Sequence, residues 1–209
     1  MEEKEKAAPK QRILEAAISL FVQKGYAGVG VREIASLAGV NLAMISYYFE
    51  GKVGILKAII EEFFDRSSEL FHGIDDVSLS PEECIQNLIR NIVNFVRENT
   101  ALALVTYNEL PLDVPEIAEL KAERIMMIFQ RISGLIRRFG VDPPDIFLMG
   151  MVGPSLMAII FSNFRVRPVL KHVLDVEFDN TYYEQFTEMI TTLFLDGIHG
   201  IVARRQSGQ

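Results

Sequence analysis

The segment Val31-Arg-Glu-Ile-Ala-Ser-Leu-Ala-Gly-Val-Asn-Leu-Ala-Met-Ile-Ser-Tyr-Tyr-Phe49 constrains this chain more than any other. It reads as two helices of about two turns each, joined at Gly39. Helices that meet steeply over so short a turn need a small residue where their backbones approach and a turn residue able to take positive φ. They also need branched apolar side chains clasping the corner. Ala35, Gly39 and the set Ile34, Val40 and Ile45 meet these demands in order. Asn41 follows as an N-cap, its side-chain oxygen placed to accept a free N–H of the second helix. The pattern is that of a helix-turn-helix. Its second helix carries Leu42, Ala43, Met44, Ser46 and Tyr47, small-featured enough to enter a major groove about 12 Å wide.

The rest of the chain carries the same period. Ile13, Ala17, Leu20 and Phe21 share one helical face, as do Ile55, Ile59 and Phe63. Helices are expected near 10–24, 31–38, 42–48, 52–72, 81–98, 101–110, 115–139, 143–163 and 181–200, with a short turn near 166–172. Ser80-Pro81-Glu82-Glu83 marks one start by an N-cap, a first-turn proline and acids near the positive helix end. Asp142-Pro143 repeats that logic, Thr181-x-x-Glu184 reads as a capping box, and Gly200 as a helix end. Pro154 with Gly150 and Gly153 is expected to kink the eighth helix. The fold class is therefore all-α: an N-terminal three-helix helix-turn-helix domain at 8–56 and a larger helical domain at 57–209, about nine helices in all.

Hydrophobic residues make up 49% of the 209, enough to bury a substantial core. The longest apolar run, Ile146 to Phe161, is broken by glycines and Pro154 and is shorter than the roughly 18 to 20 residues of a spanning helix. No cleavable leader opens the sequence, and Cys84 is the only cysteine. A cytoplasmic address and no membrane partner are expected. The net charge of −7 hides an asymmetry: residues 1–60 hold eight Lys and Arg against six Asp and Glu, the remainder 13 against 22. An acidic body under a mildly basic head directs DNA toward the head.

Phe21-x-x-x-Gly25-Tyr26, Val31-Arg32-Glu33-Ile34-Ala35-x-x-Ala38-Gly39-Val40 and Tyr47-Tyr48-Phe49-x-x-Lys52-x-x-x-Leu56 together resemble the N-terminal domain of the TetR family of regulators, over residues 10 to 60. The resemblance implies a homodimer, usually a repressor, that binds a palindromic operator and is released when a small ligand swings its heads apart. It also implies that Arg32 and Lys52 touch phosphate, that the Tyr47 hydroxyl does likewise, and that Leu42 to Met44 face the bases. With the capping Asn41 and with Ser46, these form the expected DNA-binding set. Three positions depart from the family pattern. Gly30 replaces a Thr or Ser that caps and meets phosphate, Ser46 stands where Tyr is frequent, and Asn41 stands for a common Ser. Tyr48 and Phe49 read as head core, while Tyr47 divides evenly between packing and phosphate. A cation at a helix start opposes the helix dipole, which gives Lys52 an external reason such as phosphate.

In the body, His72, His172 and His199 lie far apart, and no metal spacing, phosphate loop or serine elbow occurs. Neither an enzyme, nor a metal, nor a cofactor is expected; a helical ligand-binding protein without DNA binding, or an enzyme on an all-α scaffold, is the rival reading. The last two long helices are apolar on more than one face, as when a helix packs both on its own core and on a twofold partner. Phe147, Ile159, Phe186, Ile190, Leu193 and Phe194 divide between interface and interior. Phe64, Phe71, Ile92, Phe95, Tyr107, Met126, Met127 and Phe129, with Met151, are candidates for a pocket holding a small apolar effector, the adjacent methionines being adaptable in shape.

Overall fold

A computed structural model describes residues 8–108, 111, 113–140 and 146–207, with the side chains of residues 108, 146–149, 205 and 206 outside the description. Among the described residues there are nine α-helices and no strand. They are α1 (Pro9–Lys24), α2 (Val31–Ala38), α3 (Leu42–Phe49), α4 (Lys52–Ser67), α5 (Pro81–Glu98), α6 (Thr100–Asn108), α7 (Pro115–Arg138), α8 (Ile146–Leu174) and α9 (Asn180–Ser207). A 3-10 turn, Ser68–Phe71, follows α4. The chain divides into two compact units, Met1–Arg66 with Asn99–Arg124, and Ser67–Glu98 with Ile125–Gln209.

The first unit grows from the face of α1 that carries Ile13, Ala17, Leu20 and Phe21, all buried. Burying side chains of this size removes apolar surface from water at roughly 1.5–3 kcal/mol each. Helix α1 packs on α2, α3 and α6. Ile55, Leu56, Ile59 and Ile60 of α4 are fully buried. A salt bridge from Lys24 to Glu33 joins the end of α1 to the first turn of α2.

In the second unit, α5 is the central element. Leu88, Ile89, Ile92, Val93 and Val96 form its buried stripe, and it packs on α9, on α8 and on the 3-10 turn. Its start is a reciprocal box: the Ser80 hydroxyl accepts from the Glu83 N–H at 3.1 Å, and the Glu83 carboxylate accepts from the Ser80 N–H at 2.7 Å. Arg138 at the end of α7 donates to the carbonyl oxygens of Asp76 and Leu79, which satisfies backbone acceptors in the segment before α5.

The structure corrects several expectations. The turn expected at 166–172 is absent, because α8 runs through it to Leu174 with both Pro154 and Pro168 inside. Proline deletes one bond of the ladder, but its φ near −65° is a helical value. Burial of Ile160, Phe161 and Phe164 in the preceding turns holds the helix across it. Thr181 does not cap α9. Asp179 does, accepting from the Tyr182 N–H at 2.9 Å, so the helix opens before Thr181 is reached. Nor does Gly200 end α9, which continues to Ser207. A glycine costs a helix interior only about 1 kcal/mol relative to alanine. The cap expected at Asp142-Pro143 lies outside the described residues.

Candidate nucleic-acid interface

Helix α2 ends in a Schellman motif. Gly39 takes φ 63°, the Val40 N–H donates to the Ala35 carbonyl at 3.0 Å, and the Gly39 N–H donates to that of Ser36 at 3.2 Å. A Cβ at Gly39 would meet nothing within 4 Å. The glycine is therefore demanded by backbone conformation and not by space. Ile34, Ala35, Ala38 and Ile45 are buried, and Val40 is half-buried. Asn41 Oδ1 accepts from the Ala43 N–H at 2.9 Å and so starts α3 as an N-cap. Gly30 gives α2 no side-chain cap.

Once α3 is seated, its residues separate by face. Ile45 and Phe49 are buried, whereas Tyr47 is 81% and Leu42 40% exposed, with Ala43 and Ser46 also exposed. Met44 is half-buried, and so is Tyr48, whose ring lies edge-on to Tyr47 at 4.9 Å. Arg32 is exposed in the first turn of α2. The structure therefore brings Arg32, Leu42, Ala43, Ser46 and Tyr47 to the surface of the helix-turn-helix. Asn41 is an exposed cap with one side-chain acceptor already used.

Lys52 differs from the rest. Its ammonium lies 4.0 Å from the centroid of the Tyr26 ring, which itself stands 5.4 Å from the ring of Phe21. Desolvation holds the Lys52 pKa below the ordinary lysine value. Burial raises that of Tyr26, with the charge of Asp113 adding to the effect. A cation at a helix start thus finds an internal reason: the negative face of an aromatic ring. The Tyr26 ring was legible in the sequence, but its pairing with a residue 26 positions later was not.

Sequence reasoning also missed the joint between α3 and α4. Glu50 takes φ 58° and Gly51 φ 110°, two successive positive values that turn the chain sharply into α4. Gly54 then passes so near the end of α3 that a Cβ there would lie 1.5 Å from the Phe49 carbonyl oxygen. The dipeptide Glu50-Gly51 carries a turn signal. Gly54, inside a helical pattern, carries none, because the approach it permits exists only in the folded chain.

In the second unit, the pocket candidates Ile92 and Phe95 are buried, Phe71 and Phe129 half-buried, and Met126, Met127 and Met151 exposed. In the first, Phe64 and Tyr107 are half-buried. Two polar grooves are present in the second unit. One, of about 440 Å³, lies between α5 and α9 and includes Arg90, Arg97, Tyr183 and Thr191. The other, on α7, includes Asp75, Met127, Arg131 and Arg137. Among the interface candidates, Phe186 and Ile190 are buried within the unit, Ile159 and Phe194 are half-buried, and Leu193 is 57% exposed. The Phe147 side chain lies outside the described residues. Among the described residues no group of three His, Cys, Asp or Glu is placed to hold a metal, and no helix is long and apolar enough to cross a membrane.

A capped two-turn helix with an uncommitted outer face, held over a left-handed glycine turn inside an all-helical protein, defines a helix-turn-helix, DNA-binding transcriptional regulator. Residues 13–59 match the sequence model of the bacterial regulatory proteins of the tetR family. The chain is similar to the "Probable HTH-type transcriptional regulator YttP" of Bacillus subtilis (strain 168), at 28% identity over 92% of this chain and 97% of that one. In fold it is similar to a fatty acid degradation regulator, FadR, from Bacillus halodurans, with TM-score 0.72, 20% identity and coverage of 92% and 97%. It is also similar in fold to a tetR-family regulatory protein from Rhodococcus RHA1, with TM-score 0.72, 18% identity and coverage of 90% and 98%. Over residues 13–59 the chain thus carries the sequence pattern of the tetR-family regulators, and along its whole length it is similar to a transcriptional regulator.

Proposed function

We propose that the protein is a cytoplasmic repressor that binds a palindromic operator as a homodimer through residues 8–56, and that residues 57–209 serve dimerisation and sensing of a small apolar effector. It performs no catalysis in this reading. The observation that carries the DNA-binding part is the division of α3: Ile45 and Phe49 are spent on packing, while Leu42, Ala43, Ser46 and Tyr47 are left outward on a helix whose start is already capped. Apolar contacts from such a face read thymine methyls, and Arg32 supplies a phosphate contact. Selection of bound sequences from a random duplex pool should enrich an inverted repeat whose half-sites lie about one helical turn apart. Retention of DNA without enrichment of any sequence would overturn the reading.

Dimerisation is supported by apolar residues left on the outside of the last two helices. Val169 and Val173 of α8, and Met189 and Leu193 of α9, are each more than half exposed. Surface of this kind marks an interaction site. The proposed seam is therefore centred on Leu193 with Met189, and Ile159 and Phe194 contribute their half-exposed edges. For the effector, the adaptable Met126 and Met127 together with Phe71, Phe95 and Phe129 of the second unit support an apolar ligand, and the Bacillus halodurans structure makes fatty acyl compounds the first to try. A true effector should weaken operator binding by a typical coupling of about 5- to 150-fold.

A further inference from the structure

We propose that the second unit contains a binding site for a single oxyanion, the carboxylate or phosphate of a small molecule, built on Arg167 of α8 beside the groove between α5 and α9. The guanidinium of Arg167 is held among aromatic rings, 3.6 Å from the centroid of Phe164, 5.1 Å from Tyr183 and 5.7 Å from Phe178. Stacking of this kind occupies the faces of the guanidinium and leaves its in-plane N–H groups to find acceptors at the edge. On one edge they have found none: Nε and Nη2 are buried and make no hydrogen bond among the described residues. Those two atoms form the side-on fork of arginine, whose parallel N–H groups match the two oxygens of a carboxylate or phosphate. A charged donor pair buried without an acceptor is the costly arrangement that an oxyanion relieves.

The surroundings are consistent in sign and chemistry. Tyr183 joins Arg167 to the groove, because its ring also forms part of the groove wall and lies 4.7 Å from the guanidinium of Arg97. Arg97 and Arg167 share the Tyr183 ring, at 4.7 and 5.1 Å from its centroid, so their like charges oppose one another; the Arg167 pKa is lowered chiefly by desolvation, with Arg97 the smallest contributor. A bound anion offsets that repulsion. Thr191 lines the same groove, and its hydroxyl is buried with no hydrogen-bond partner among the described residues. Arg90 stands with Arg97 on the groove wall, while Glu184 and Glu188 are exposed along it. These two carboxylates disfavour a polyanion and leave room for one oxyanion group.

The full-length protein should be titrated with sodium octanoate and with inorganic phosphate, each at ionic strength fixed by sodium chloride. Binding should be followed through the Arg167 Nε–H resonance and through tyrosine fluorescence, which is readable because the chain has no tryptophan. Saturable movement of the Nε–H resonance by either anion, and not by chloride, is expected, and the stronger of the two identifies the source of the oxyanion. Arg167→Lys, which keeps the charge but removes the fork, should weaken binding at least tenfold, or about 1.4 kcal/mol. Thr191→Val should weaken it less, and Arg204→Gln, an exposed charge control, should leave it unchanged. The proposal is overturned if neither anion exceeds chloride, or if Arg167→Lys binds as the parent does. A response to these probes does not depend on DNA binding, so failure here leaves the regulator reading intact.

Discussion

At Lys52 two demands meet on one side chain. The ammonium lies over the Tyr26 ring, worth about 0.5–1 kcal/mol at an exposed site and more when desolvated, and the family resemblance places the same residue on phosphate. The two roles separate by salt dependence. If Lys52 neutralises a phosphate, Lys52→Ala should reduce the magnitude of the slope of log affinity against log salt by about 0.9 per subunit. If it acts only as a strut on Tyr26, the variant should lose thermal stability while the slope stays that of the parent. Fluorescence anisotropy with an operator duplex at several salt concentrations decides. Gly54 makes a sharper demand. A methyl group placed 1.5 Å from the Phe49 carbonyl oxygen forces α3 and α4 apart, so Gly54→Ala should cost about 1–3 kcal/mol and abolish operator binding before it abolishes folding. Urea denaturation beside a gel-shift titration tests this, and a variant that bound operator as the parent does would remove Gly54 from the positioning machinery.

At the level of a single helix, the start of α5 concentrates electrostatics that a sequence pattern only partly discloses. Glu83 has its pKa held below the ordinary glutamate value, first by the Ser80 N–H and then by the Ser80 hydroxyl. Glu82 is lowered by its own backbone N–H and then by a hydrogen bond with His199 of α9, whose Nε2 lies 3.0 Å away. Asp76 is lowered by the Ser78 hydroxyl and then by its N–H. A carboxylate whose folded pKa lies below its unfolded value, about 4.3 for glutamate and 3.9 for aspartate, contributes stability that is present above that value and lost as pH falls through the folded pKa. The resistance of the second unit to urea should therefore fall between about pH 5 and pH 3, and Glu83→Gln should flatten that fall. Equal pH dependence in parent and variant would show that the box contributes nothing measurable. Ser80 and Glu83 were legible as a helix start because a capping box is local. His199, 117 residues from Glu82, joined them only through the packing of α9 on α5.

At the scale of the whole molecule, the proposed twofold assembly rests on the outward residues of α8 and α9. Leu193→Glu should bury an unpaired carboxylate in each copy of the seam, at a cost of several kcal/mol, and should yield monomers in multi-angle light scattering. A dimer that survived both Leu193→Glu and Met189→Glu would place the interface elsewhere. The same residues show where sequence reasoning stops. Helical period, caps and the Gly39 turn are set by neighbours within four residues, so the helix-turn-helix and nearly every helix boundary through α7 could be read along the chain. The turn expected near 166–172, which holds Pro168, and the end expected at Gly200 did not form because the local preference against helix there was smaller than the packing of the long helices that contain them. Which apolar residues of α9 are interior was equally beyond local reading: Phe186 and Ile190 are buried, whereas Met189 and Leu193, no less apolar, are exposed. Hydrophobicity is a property of the side chain. Its burial, the ring that meets Lys52 and the edge of Arg167 left without a partner among the described residues are properties of what the fold brings beside it, and only the tertiary structure decides those.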